Sequence, residues 1–365
     1  MTSRYALILA AGKGTRMLSK RPKPLMKLCG MSMLGHVLGA VEGLEDLARV
    51  VVVVGHEADR VEQEISRSVR GAVDVVTAIQ LDQRGTGDAV GVGLSRLPDL
   101  LPGIAASESE LLVVPADTPL ISAETLNLLA DHHRHGRNAA TILTMNLDEP
   151  EGYGRIFRDR KGEVLKIVED REIEGPGTEL REVNTGIYLF DLSVLPAALR
   201  RIAPTNAQGE YYLTDAIEML VQSGYSVDTL VVPDPVEAMG VNDRYQLVKA
   251  EEEMRRRIAI RHLHNGVMMV RPETITIDTQ VVIGRDTTIW PNTLLLGETV
   301  VGSGADIGPE CRLIDTQVGD GTTLIKVDAV GASIGSGATV GPYVAVMDGG
   351  AIGDNEVVEA FTRIK

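Results

Sequence analysis

Between Leu7 and Lys23 the chain gathers residue types suited to holding a chain of phosphates. Leu7-Ile-Leu reads as the end of a buried strand, and Gly12-Lys13-Gly14 then turns with no Cβ to shield its backbone amides. Such a turn makes a nest for an anion. Arg16 adds a forked cation and Lys23 a point charge, both suited to phosphate. The two better-known phosphate loops are excluded. A dinucleotide fingerprint needs glycine where Met17 stands, and a Walker A loop needs a Gly-Lys-Ser/Thr ending that Gly12–Arg16 lacks. Charge placement agrees with anion binding. The chain carries 51 acidic against 36 basic residues, a net charge of −15. Yet residues 1–41 hold seven Lys and Arg and no acid.

The elements that must position these residues follow from periodicity. From Tyr5 to about Leu230, short β-branched runs alternate with helical patterns, which predicts a mostly parallel α/β sheet of Rossmann-like type. Val50–Val54 and Leu111–Val114 read as strands buried on both faces, and Gly186–Phe190 as a third strand. Sites in open α/β sheets lie at the carboxyl ends of strands, where both the glycine loop and Asp117 fall. Residues 242–264 read as a polar, charge-rich connecting helix with a solvated face. His132-His133-Arg134-His135 reads as a solvated helix end rather than a metal site.

Past about Ile275 the texture changes. Ile283, Ile289, Leu295, Val301, Ile307 and Leu313 recur every six residues. Val318, Leu324 and Val330 continue after a one-residue slip, followed by Val340, Val346, Ile352, Val358 and Ile364. An apolar residue at every sixth position, often followed by glycine, is the hexapeptide signature of a parallel β-helix. The expected divisions are a nucleotide-handling domain over 1–241, a helix and connector over 242–274, and a short β-helix over 275–365.

The acidic balance argues against nucleic acid and anionic membrane surfaces as partners. No apolar run reaches the length of a membrane span, and the N-terminus has no signal-peptide pattern. Cys29 and Cys311 show neither metal nor redox spacing. They are expected to be reduced core thiols in a cytoplasmic protein.

Further motifs then join the first: Gln80-Leu-Asp-Gln-Arg-Gly85-Thr86-Gly, Ala116-Asp117-Thr-Pro119, Gly152-Tyr-Gly154-Arg-Ile156, Val168-Glu169 and Asn184-Thr-Gly186. Asn206-Ala-Gln-Gly-Glu-Tyr-Tyr-Leu-Thr214-Asp215 and Gly240-Val-Asn242 complete the series. In this order and spacing the chain resembles the bacterial bifunctional N-acetylglucosamine-1-phosphate uridylyltransferase/glucosamine-1-phosphate acetyltransferase family. The resemblance spans nearly the whole uridylyltransferase domain, the linker helix and the first part of the β-helix. It implies an α/β nucleotidyltransferase followed by a short left-handed parallel β-helix. The glycine loop motif is shared by sugar nucleotidyltransferases generally. The motifs around Gly154, Asn184 and Thr214 are more specific to this family.

The resemblance also implies roles. Leu9, Ala10, Ala11, Gly12, Gly14 and Thr15 would line the nucleotide, with Arg16 and Lys23 as the catalytic cations on its triphosphate. Gln80, Gly85 and Thr86 would read uracil, and Gly154, Glu169, Asn184 and Thr214 would hold the N-acetylglucosamine moiety. Asp117 and Asn242 would ligate Mg²⁺, and the β-helix would form a homotrimer. The implied substrates are UTP and N-acetylglucosamine 1-phosphate. Transfer to the α-phosphorus needs no protein nucleophile, which accounts for the lack of any evident Ser–His, Cys–His or His–carboxylate arrangement.

Pro115 and Ala116 depart from the family pattern beside Asp117. From Ile283 to Lys365 there are 83 residues, about four or five coils, and Met347-Asp348 stands where the family has a basic sugar-phosphate segment. Acetyl transfer is therefore expected to be absent. Two alternatives stay open. One is a sugar nucleotidyltransferase using dTTP or GTP and another sugar. The other is a silent nucleotide-sensing assembly protein, against which Arg16, Lys23, Asp117 and Asn242 argue.

Overall fold

Valine-rich runs bounded by capped helices build the first half of the chain. The computed structural model describes residues 3–12, 14–55, 57–69, 71, 73–98, 109–173, 175–204, 206 and 208–365; Lys13 and His56 lie outside these. In chain order come β1 (Ser3–Ala10), β2 (Lys27–Leu28), β3 (Met31–Ser32), α1 (Met33–Glu42), β4 (Leu47–Val54), α2 (Ala58–Ser68), β5 (Asp74–Ile79) and α3 (Thr86–Leu94). Then follow β6 (Ser109–Pro115), α4 (Ala123–Gly136), β7 (Ala140–Asn146), β8 (Arg155–Arg158), β9 (Val164–Val168) and β10 (Glu182–Asp191). The series ends with α5 (Leu195–Leu199), α6 (Leu213–Gln222), β11 (Val227–Val231) and α7 (Arg244–His264). Ser32 and Ser122 cap α1 and α4 by accepting the amides of Gly35 and Thr125, each three residues on.

The main sheet runs β11-β7-β10-β6-β1-β4-β5, with β8 beside β10 and β9 beside β8. Strands β5, β4, β1 and β6 are mutually parallel. The strand read from Gly186–Phe190 lies in β10 and runs antiparallel to both β6 and β7. Alternate residues of each central strand feed opposite cores. Leu7, Val51, Val53 and Val113 pack with residues of α3 and α6, while Ile8, Val50, Val52 and Val114 pack with α1 and α4. Burial on both faces explains why these strands read as continuous apolar runs. In the register, Leu9 sits level with Val53 on one side and Pro115 on the other, so loops after β1 and β6 emerge together.

Beyond α7 the chain winds through short strands stacked as three parallel sheets of six, six and five strands, a parallel β-helix. The six-residue repeat holds from Ile283 to Leu313, but Ala329, not Val330, faces inward beside Leu313 and Val346. Steps of five residues lead from Leu313 to Val318, from Leu324 to Ala329 and from Ala329 to Ile334. Each shortens a corner rather than a strand, so the ladder register survives. Buried threonines at the corners are satisfied by backbone carbonyls: Thr287 donates to Gly302 at 2.7 Å and Thr322 to Gly335 at 2.8 Å.

Contacts divide the chain into Met1–Met26 with Ser32–Gln246, and Lys27–Met31 with Leu247–Lys365. The charge run of α7 pairs along its own surface, Glu251 with Arg255 at 2.6 Å and Glu253 with Arg257 at 2.7 Å. The histidine cluster is not wholly solvated. His133 is buried with its Nδ1 2.8 Å from the Thr141 hydroxyl, and burial pulls its pKa down to about 4. Both cysteines are buried free thiols, pushed by burial up to about 12 for Cys29 and about 11 for Cys311. No helix among the described residues is long and apolar enough to cross a membrane.

Candidate active site

The loop after β1 is shaped by two glycines for different reasons. Gly14 takes a left-handed conformation (φ 59°), and a Cβ there would lie 2.5 Å from Lys23 Cβ. Its carbonyl accepts the Met17 amide at 3.0 Å, closing a short turn that includes Thr15 and Arg16. A Cβ on Gly12 would meet nothing within 4 Å, so this backbone faces open space. That space is a cavity of about 170 Å³ lined by Leu9, Ala10, Gly12, Gly14, Thr15, Arg16, Lys23, Pro24, Ala116, Asp117 and Asn242.

Four of those residues form one cluster. Lys23 Nζ donates to the Asp117 carboxylate and, at 2.9 Å, to Asn242 Oδ1, which also accepts from Arg16 at 3.1 Å. Backbone bonds fix the partners. Ala116 N–H donates to Leu9 O at 3.0 Å, lacing the end of β6 to β1, and Val241 N–H donates to Asp117 O at 2.8 Å. The Asn242 amide is held by Gln246 Oε1 at 2.6 Å. Two hard oxygen donors thus converge on a single cationic atom. The set fits a Mg²⁺ ion, which takes one or two protein oxygens and completes its shell with phosphate and water. Among the described residues no group of three or more His, Cys, Asp or Glu forms a richer metal site.

A second cavity of about 470 Å³ shares Leu9, Gly12 and Asp117 with the first. On one wall, Gln80 is buried and donates to Gly85 O at 3.1 Å and Asp88 Oδ2 at 2.8 Å. Gly85 (φ 109°) opens α3, and a Cβ on it would stand 2.5 Å from Tyr211 O. Thr86 Oγ1 accepts the Leu213 amide at 3.0 Å, so its hydroxyl is tied to the start of α6.

Elsewhere in the lining, Thr214 Oγ1 donates to Glu169 Oε1 at 3.1 Å. Burial pushes the Glu169 carboxyl above the ordinary range, and this hydrogen bond opposes the rise. Asn184 also lines this cavity, and its backbone N–H donates to Gly154 O at 2.8 Å. Gly154 stands behind the surface, where a Cβ would lie 3.7 Å from Glu169 Oε2. Ala11 lines the second cavity, with its carbonyl accepting from Gln83 Nε2.

Apart from Gly154, which lines neither, the sequence-derived site residues line two adjoining cavities. Reading the sequence missed Gln83, Tyr188 and Glu210, which also line the larger one. Gln83 had a signal, since it repeats Gln80 three residues on within the same motif. Tyr188 had a weaker one, as the last residue of the family-specific run Asn184-Thr-Gly-Ile-Tyr188, where it reads only as part of a strand.

Comparison with known proteins gives a consistent result. Residues 6–174 match the MobA-like NTP transferase domain. The bifunctional protein GlmU of Mycobacterium tuberculosis (strain ATCC 25177 / H37Ra) is 43% identical over 362 residues, covering 98% of this chain and 71% of that protein. The bifunctional protein GlmU of Nocardia farcinica is 41% identical over 363 residues, covering 98% of this chain and 72% of that protein. That of Clostridioides difficile is 39% identical over 362 residues, covering 99% and 75%. Identity at this level along almost the whole chain, joined to a nucleotidyltransferase sheet and a β-helix, shows that this chain is a nucleotidyltransferase belonging to the family of the bifunctional protein GlmU.

Proposed function

We propose that the chain transfers UMP from UTP to N-acetylglucosamine 1-phosphate, releasing pyrophosphate. The observation that carries this reading is the pair of adjoining cavities that share Asp117, one lined by Arg16, Lys23 and the glycine loop, the other by Gln80, Gly85, Glu169 and Asn184. A phosphate oxygen of the sugar phosphate attacks the α-phosphorus. The new P–O bond forms as the bond to the bridging oxygen breaks, and pyrophosphate leaves. The attacking group is already ionised at neutral pH, so no general base is needed. Loop amides, Arg16 and Lys23 hold the phosphates and neutralise the charge that spreads over them in the transition state. Gln80 and Gly85-Thr86 orient the base, while Glu169, Asn184 and Thr214 orient the sugar. Mg²⁺ held by Asp117 and Asn242 would add further charge neutralisation when bound.

Pyrophosphate release measured across nucleoside triphosphates and sugar phosphates tests this. UTP with N-acetylglucosamine 1-phosphate should be the best pair, and equal turnover of dTTP with glucose 1-phosphate would reject it. The reading includes a cytoplasmic setting and a homotrimer built through the β-helix. It excludes acetyl transfer, because Asp348, exposed after the strand Val344–Val346, would repel a sugar phosphate. Release of free thiol from acetyl-CoA, dependent on glucosamine 1-phosphate, would contradict that exclusion.

A further inference from the structure

A bulge in β10 sets the orientation of one amide and, through it, the direction of one proton. The pairing of β10 with β7 breaks between Asn184 and Ile187, where Gly186 takes φ 80°. Thr185 closes the bulge by donating to Leu143 O at 2.7 Å and accepting the Ile187 amide at 3.2 Å. The Asn184 side chain folds back along the strand. One end meets the Gly186 amide at 3.1 Å and the other meets the Tyr188 hydroxyl at 2.7 Å.

Backbone N–H only donates, so the Asn184 atom facing Gly186 is the carbonyl oxygen. The atom facing Tyr188 is then the NH₂, which also only donates, and Tyr188 Oη must accept. The hydroxyl's own proton has to be given elsewhere. Tyr188 is 2% exposed, its ring stacked on Phe190 at 5.5 Å, and it lines the larger cavity beside Asn184 and Glu169. Among the described residues no protein acceptor is recorded for that proton. Burial raises the Tyr188 pKa, and the Glu169 charge adds to the rise, so the proton stays on the oxygen at neutral pH. A buried donor left without an acceptor is costly, and an oxygen of a bound ligand removes that cost.

We propose that the Tyr188 hydroxyl is a specificity-determining donor to an oxygen of the sugar moiety. The inference rests on the proposed reaction, which places the sugar against this wall. In the lining of the same cavity Glu169 offers acceptor oxygens, so the cavity presents one donor and one acceptor. Together they match a group that bears both hydroxyl protons and oxygen lone pairs, as a hexose does. A site built to hydrogen-bond a substrate oxygen discriminates strongly against analogues lacking it.

The experiment is Tyr188→Phe, which keeps the ring and its stacking. The KM for N-acetylglucosamine 1-phosphate should rise on the order of 10-fold, with the UTP KM changed little. Loss of the hydroxyl also frees the Asn184 NH₂, so a second measurement separates donation from positioning. Parent and variant are assayed with analogues of the sugar phosphate lacking the 2-acetamido, 3-, 4- or 6-oxygen in turn. One analogue should lose activity with the parent yet cost the variant nothing further, because the contact is already gone. If every analogue is penalised by the same factor in both enzymes, Tyr188 acts only through Asn184 and the proposal is overturned. An unchanged sugar KM in the variant also overturns it. If the parent itself does not turn over UTP with N-acetylglucosamine 1-phosphate, the underlying reaction is wrong. That failure is distinct from an active parent whose analogue cycle is flat.

Discussion

The ammonium of Lys23 donates to Asn242 Oδ1 at 2.9 Å across 219 positions of sequence, and the same ammonium also holds the Asp117 carboxylate. One cation thus occupies the point on which both proposed metal ligands converge. The proposed catalytic and metal-binding roles pull on this residue in opposite directions, which makes it informative to remove.

Lys23→Ala should lower kcat/KM for nucleotidyl transfer by on the order of 10²-fold, since the proposed transition-state cation is lost. The same variant, free of nucleotide, should bind Mg²⁺ more tightly, by on the order of tenfold, because a competing positive charge has gone. Titration calorimetry with Mg²⁺ alone reads the second effect independently of turnover. Weaker or unchanged Mg²⁺ binding in the variant would show that Asp117 and Asn242 do not form the metal site.

A second prediction concerns pH. Burial, with the charges of Glu172 and Glu218, pushes the Asp215 carboxyl from 3.8 up to about 6. An acid whose pKa is raised on folding favours the folded state while protonated. Its contribution is full below the unfolded value and is lost as pH rises through about 6. Asp215→Asn cannot ionise, so its melting temperature relative to the parent should climb between pH 4 and pH 7. Taking the difference cancels the opposite trend from His133, whose lowered pKa makes acid destabilising. A flat difference across that range would refute the assignment.

A third concerns assembly. The β-helix presents three parallel sheets, and light scattering should give three times the 39.2 kDa chain mass at micromolar concentration. A mass equal to one chain would reject the trimer.

Much of this architecture is legible in the residues because their patterns are local. Val50–Val54 announces a strand buried twice over, and apolar residues at every sixth place from Ile283 to Leu313 announce a coil. What stays hidden depends on partners distant in sequence. Nothing in Gly186–Phe190 encodes that β10 runs antiparallel, since strand direction is a property of the pair. Ala329 replaces the expected Val330 because a corner loses a residue, and a small apolar side chain gives no periodic signal of its own. The assignment of Lys27–Met31 to the unit containing the β-helix is similarly silent, although the Cys29 carbonyl accepts the Thr279 amide at 2.9 Å. For the site, glycines and charged residues stand out by type. Tyr188 does not, because its role depends on a bulge and on which way one amide faces.

The last prediction contrasts two glycines of the site. Alanine at Gly12 fits the fold, since its Cβ would meet nothing within 4 Å and the backbone is not left-handed. Its melting temperature should match the parent, yet the methyl would intrude where phosphate is proposed to sit, lowering kcat/KM on the order of 10²-fold. Alanine at Gly85 should behave differently. There φ is 109° and the new Cβ would lie 2.5 Å from Tyr211 O, in a segment held by two further bonds: Tyr211 N–H to Arg84 O at 2.7 Å and Gly87 N–H to Tyr211 O at 2.8 Å. The strain, about 1–3 kcal/mol for such a conformation alone, should appear as a melting temperature lowered by several degrees. Because this contact joins the loop proposed to read the base to the segment carrying Thr214, KM should rise for both substrates. Near-parental kcat/KM in Gly12→Ala would remove the phosphate from that loop. Parental melting in Gly85→Ala would mean the Tyr211 segment yields freely, and the two walls of the larger cavity are not held together there.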